Sequence, residues 1–141
     1  MIPAGVLSLW LSVVFDDRPI EWVAYSDPEF ERYVKRENKS VLIFFTADWD
    51  PTASWVEKQA LNDYWVRWLI RRKSIVAMKA DLTHFPTRPE GAMERMNSIG
   101  RTATPVIAIY ESGNLENPTI LEDAIDAESL RGKLRSAIGS R

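Results

Sequence analysis

The sequence predicts an α/β fold in which a central mixed sheet is flanked by helices. Three observations predict it. Short runs of apolar, β-branched and aromatic residues recur at 41–45, 75–80 and 106–110, the length of strands buried on both faces. Stretches with helical spacing of apolar residues separate these runs, and such alternation is the signature of a sheet covered by helices. The runs at 106–110 and 119–121 are instead joined by Ser112-Gly113-Asn114, a hairpin signal, so the last two strands are antiparallel.

Residues 2–15 carry no charge. A helix needs about 20 apolar residues to span a bilayer, so this run is short. It also lacks the basic start and small-residue cleavage site of a secretory signal. Three readings stay open: the tail end of a membrane span, an apolar element packed on the following domain, or an atypical signal segment. Asp16-Asp17-Arg18-Pro19 marks a boundary, because charges followed by proline end a helix or a span. The expected division is an apolar segment and linker at 1–18 and one domain at 19–141.

Within that domain, Glu21-Trp22-Val23-Ala24-Tyr25 alternates like a strand. Asp27-Pro28 then opens a helix, with Asp27 expected as the N-cap and Pro28 in the first turn. Phe30, Tyr33 and Val34 share its apolar face, and Asn38 stops it. The central strand at 41–45 runs into a second Asp-Pro pair, Asp50-Pro51, again read as N-cap and first helical residue. Asn62-Asp63 breaks that helix and caps another, whose stripe of Tyr64, Trp65, Trp68 and Leu69 is expected to pack in the core. Arg71-Arg72-Lys73 is expected to be a solvated helix end favoured by the macrodipole. After the strand at 75–81, Pro89 is expected to open a helix carrying Met93 and Met96, closed by Gly100. Asp126 caps the last helix, which buries Leu130, Leu134 and Ile138.

The turn after the central strand carries a family resemblance. Phe45-Thr46-Ala47-Asp48-Trp49, followed by Asp50-Pro51-Thr52-Ala53, resembles the active-site turn of the thioredoxin-fold C-terminal domain of DsbD-like transmembrane thiol:disulfide interchange proteins. That family's pattern is Phe-Thr-Ala-Asp-Trp-Cys-x-x-Cys. Lys79-Ala80-Asp81-x-Thr83 and Thr104-Pro105-Val106-x-x-x-Tyr110 also resemble the family, in the right order, and the likeness covers residues 20–138. Where the family has Trp, this chain has Leu82. Asp50 and Ala53 stand at the two cysteine positions. Phe44 stands where many thioredoxin-like domains carry a buried acid for proton transfer. The resemblance implies a thioredoxin-like fold with an apolar N-terminal extension, and a cis-proline loop at Thr104-Pro105 opposite the turn.

Composition narrows the chemistry further. The chain has 141 residues, 45% hydrophobic and 27% charged, with a net charge of −2 and no cysteine. Without thiols there is no disulfide, no thiolate catalysis and no Cys-ligated metal or cluster. The single histidine, His84, lies in a Pro-flanked loop and is expected at the surface. The expectation is therefore no cofactor, no metal and no catalytic residue. The charge balance gives no basic bias towards nucleic acid.

Thiol–disulfide exchange needs an attacking thiolate and a resolving thiol. Asp50 puts a carboxylate where the thiolate would sit, acting either as a frozen mimic of its charge or simply as a good N-cap. The expected function is a redox-inactive domain that binds a protein or extended peptide along Trp49, Asp50, Pro51, Thr52, Thr104 and Pro105. The alternative is a component of a DsbD-like disulfide reductase or electron-transfer system, with thiols supplied by another chain. By resemblance the partner is a membrane-embedded disulfide-exchange protein. The location is then the periplasmic or another extracytoplasmic face, tethered through the N-terminal segment, with a cytoplasmic setting left open.

Overall fold

The computed structural model describes residues 18–84 and 89–138. Five strands form one sheet: β1 Val23–Ala24, β2 Val41–Thr46, β3 Val76–Asp81, β4 Val106–Tyr110 and β5 Thr119–Glu122. Their order is β1-β3-β2-β4-β5. β1 and β2 run parallel to β3, while β4 is antiparallel to β2 and β5 antiparallel to β4. Among the described residues five helices cover the sheet: α1 Asp27–Glu31, α2 Pro51–Val56, α3 Tyr64–Arg72, α4 Ala92–Ser98 and α5 Ala127–Ala137. α1 and α2 each continue into a wider turn, at Arg32–Arg36 and Glu57–Leu61. There the backbone bonds from Glu37 N to Arg32 O and from Asn62 N to Glu57 O skip an extra residue.

β2 is third of the five strands, and every residue from Val41 to Phe45 is buried. Side chains alternate along a strand, so its residues divide between two cores. Leu42 and Phe44 join Ala53, Val56, Leu69, Leu130 and Leu134 under α2, α3 and α5. Val41, Ile43 and Phe45 join Phe30, Val34, Ala92 and Met96 under α1 and α4. The predicted fold class and the apolar faces of the first and last helices are present.

Several local expectations are corrected. Asp27 is not the N-cap of α1; Ser26 is, and its hydroxyl accepts from the Glu29 amide at 3.4 Å. The Asp27 carboxylate, one position further in, points across to α4. Its Oδ1 accepts from the Tyr25 hydroxyl at 2.6 Å and from Arg95 Nε and Nη2 at 3.1 and 2.9 Å. Burial, then the bond to Asp27, pushes the Tyr25 hydroxyl pKa well above its ordinary value. Arg95 also stacks its guanidinium over Phe30, 4.8 Å from the ring centroid. α4 begins at Ala92 rather than at Pro89, with Gly91 as its cap at φ 75°. A Cβ at Gly91 would come within 2.6 Å of Asp27 Cβ, so glycine is required both by the backbone conformation and by this close approach.

Trp65 and Trp68 do not pack in the core: they are 51% and 38% exposed. The buried face of α3 is Val66, Leu69 and Ile70 instead. Arg71 is also more than a solvated end, since it donates to the Arg18 and Pro19 carbonyls. The connection from β4 to β5 spans residues 111–118, longer than a tight hairpin, and Gly113 N donates to Val34 O at 3.0 Å. The three readings of residues 2–15 fall outside the described residues. Among the described residues, no helix is long and apolar enough to cross a membrane.

Candidate functional site

The turn between β2 and α2 lies at the carboxyl end of the central strand, the edge where open α/β sheets usually carry their sites. Asp50 caps α2 as expected. Its Oδ1 accepts from the Thr52 and Ala53 amides at 2.9 and 3.3 Å, satisfying two donors that the first helical turn leaves orphaned. Pro51 follows at the first helical position. The second carboxylate oxygen, Oδ2, accepts from the Thr104 hydroxyl at 2.6 Å. Asp50 is 8% exposed, so one buried carboxylate ties the helix start to the loop that precedes β4. The Thr104–Pro105 peptide bond in that loop is cis.

A second brace holds the other side of the turn. The Asp48 amide donates to Thr83 Oγ1 at 2.8 Å, and Thr83 Oγ1 in turn donates to the Asp81 carboxylate. The Thr83 amide reaches the same carboxylate at 2.9 Å, and Leu82 N donates to Thr46 O at 2.8 Å. Reading the sequence for chemistry did not single out Thr83 or Asp81 as site residues. The signal was present in the Lys-Ala-Asp-x-Thr motif that follows β3.

Between the two braces, Trp49 projects from the turn and is 68% exposed. Pro51 is exposed, Thr52 and Thr104 are half-buried, and Ala53 and Pro105 are buried. The structure thus brings Trp49, Asp50, Pro51, Thr52 and Thr104 together at one edge. Asp50 is already bonded through both oxygens, so little of it is left for a partner's cation. His84 is exposed. Among the described residues, no cluster of His, Asp and Glu has the geometry to hold a metal ion.

Beneath the turn, Phe44 is fully buried and packs on Trp22 with ring centroids 6.0 Å apart. A carboxyl group without a partner would be costly there, and a ring fills the space without that cost. On the neighbouring strand β3, Lys79 stands opposite Phe44 in the register, pairs with Glu57 and sits 5.0 Å from the Trp22 ring centroid.

A thioredoxin-like family model matches residues 21–112. The chain belongs to the thioredoxin-like family. Solved structures agree on the fold. The chain is similar to a DsbH oxidoreductase, at 16% identity over 87% of each chain with a TM-score of 0.67. It is similar to a thioredoxin from Thermus thermophilus, at 18% identity over 85% of this chain and 88% of that one, TM-score 0.65. The reduced C-terminal domain of DsbD from Neisseria meningitidis matches at 14% identity over 94% of each chain, TM-score 0.54. A comparison with curated protein sequences found no match. Within this thioredoxin-like fold, the absence of cysteine fits a domain without thiol–disulfide chemistry.

Proposed function

We propose that this thioredoxin-like domain is redox-inactive and binds an extended peptide or protein segment along the edge built from Trp49, Asp50, Pro51, Thr52, Thr104 and Pro105. The observation that carries this reading is Trp49. A large apolar ring stands 68% exposed on a turn whose backbone is braced from both sides. Tryptophan is enriched at binding hot spots, and a rigid platform loses little entropy when a partner docks. An extended segment beside the Thr104 loop would be gripped through backbone groups, as in strand addition. Asp50 serves as the clamp that shapes this edge rather than as a contact. The resemblance to DsbD-like proteins favours a partner from a membrane-embedded disulfide-exchange system, on the extracytoplasmic side.

Two measurements test the reading. In an insulin-reduction assay the purified chain gives no turnover above the dithiol background; turnover would overturn redox inactivity. On an array of extended peptides, the chain binds a subset, and Trp49→Ala weakens that binding at least about tenfold, as removal of a hot-spot tryptophan does. The melting temperature of the variant stays close to that of the parent. A large stability loss with unaltered binding would make Trp49 a structural residue.

A further inference from the structure

The outer side of α3 carries a second feature that the Trp49 edge does not use. Tyr64 and Trp65 meet edge to face at 5.0 Å, and Trp65 meets Trp68 in the same way at 6.0 Å. The rings form a ladder along one helix, with Trp65 and Trp68 exposed and Tyr64 half-buried. Basic side chains flank it. A depression between α3 and α5 is lined by Trp65, Glu128, Arg131, Gly132 and Arg135. On the other side of the ladder, Trp68 lines a depression with Lys39, Arg72 and Lys73 and one acid, Glu111. Arg131 is committed to Asp63 at 3.3 Å, whereas the Arg72 and Arg135 side chains are exposed. In a chain of net charge −2, this face is a local excess of positive charge.

The path of the chain adds a third observation. Arg67 Nη1 donates to the Arg18 carbonyl at 2.9 Å, and Arg71 donates to the carbonyls of Arg18 and Pro19. The described chain therefore begins against α3, beside the aromatic ladder, and the uncharged stretch at 2–15 precedes that point in the sequence. An apolar run of that length is short for a span, and lying in the membrane interface is one of the arrangements open to it. A single apolar anchor binds a membrane only marginally, and a neighbouring basic patch makes the attachment stable. Trp and Tyr rings favour the headgroup level of a bilayer, and Arg and Lys are drawn to anionic lipid.

We propose that the outer face of α3, with the adjoining edge of α5, docks on an anionic lipid surface beside the point where Arg18 is held against α3. The rings settle among the headgroups, and Arg72 and Arg135 face anionic phosphates. This orientation is independent of the Trp49 edge, so its failure leaves the peptide-binding reading untouched.

The cysteine-free sequence offers a clean test. Gly132→Cys places one thiol beside Trp65, where an added Cβ meets nothing within 4 Å. Glu94→Cys, on α4 across the sheet, is the control. Each full-length variant carries an environment-sensitive thiol fluorophore. It is mixed with vesicles of phosphatidylcholine alone or of phosphatidylcholine with phosphatidylglycerol. The expected result is a blue shift at position 132 with the anionic vesicles and none at position 94. Adding Trp65→Ser and Trp68→Ser removes the shift, and Arg72→Gln or Arg135→Gln weakens vesicle affinity by about fivefold each. The proposal is overturned by no shift at position 132, by equal shifts at both positions, or by a shift that survives loss of both tryptophans. A label already shifted without vesicles, and unmoved by them, would show that the face is covered by the chain itself or by a second copy.

Discussion

The chain contains two Asp-Pro pairs, each just before or within the first turn of a helix, and they do different work. Asp50 caps α2 with one carboxylate oxygen and accepts from the Thr104 hydroxyl with the other. Asp27 sits one residue inside α1, leaves the cap to Ser26, and uses its carboxylate to hold Arg95 of α4 and Tyr25 of the preceding segment. The dipeptide marks a helix start in both places but does not fix which residue caps it. The residue before it decides that: Ser26 can cap, whereas Trp49 cannot. Once freed from the cap, a carboxylate goes to the strongest donors in reach, here a guanidinium and a phenol.

The sharpest way to break this contrast is Arg95→Ala. It strips the charged partner from Asp27, leaves the half-buried carboxylate with the Tyr25 hydroxyl, and removes the contact on Phe30. A loss of about 3 kcal/mol is expected in urea unfolding. In a double-mutant cycle with Asp27→Ala, the two losses should fall well short of additive. Additive losses would mean that the pair is not coupled.

Asp50→Ala is expected to cost about 2 kcal/mol, from the cap and from the Thr104 hydroxyl left without its acceptor. Asp50→Asn keeps the cap and should cost less than half as much. Equal losses for the two variants would show that the charge, rather than the cap, matters. Ser26→Ala should cost less than about 1 kcal/mol, because its bond to Glu29 is long. A larger loss in Ser26→Ala than in Asp50→Ala would reverse the comparison.

The smallest expected effect is on pH dependence, at another capping aspartate, Asp126. The Ser129 amide and hydroxyl hold the Asp126 carboxyl below its ordinary pKa. A group whose folded pKa is lowered contributes stability above its unfolded pKa, and that contribution is lost as pH falls through the folded value. Asp126→Asn retains a capping oxygen, so the acid limb of its stability profile should flatten slightly while stability near neutrality changes little. An unchanged acid limb would show that the solvent-exposed Asp126 charge adds nothing to the cap.

What could be read from the sequence follows from the range of the forces involved. The run at 41–45 is a buried strand because five apolar residues in a row have no polar face to show. Asp50 and Asp126 were legible as caps because capping is satisfied within three residues. For α1 the capping-box spacing Ser26-x-x-Glu29 was also present, and the neighbouring Asp-Pro masked it. Arg95 could not be found, because its partner lies 68 residues away in the chain. Thr104 was named by resemblance, but its bond to Asp50 was not legible, because it exists only once the loop before β4 is laid against the α2 start. The tryptophans of α3 were misread because an aromatic stripe at helical spacing is the same signal whether it faces a core or a solvent-exposed surface. Val66 and Ile70, flanking Leu69 on the opposite side, were the residues that filled the core.

The sheet's outline also bears on how the chain behaves when it is stressed. Val41-Leu42-Ile43-Phe44-Phe45 is uncharged, proline-free and strongly β-prone, the composition of a segment that stacks into fibrils when bared. It lies at the centre of the sheet, and the strands that close the two edges are only two and four residues long. Edges so short offer little template for an incoming strand. The native protein is thereby protected from fibre growth at its rims, and the hazard is confined to states in which β3 or β4 has peeled away from β2.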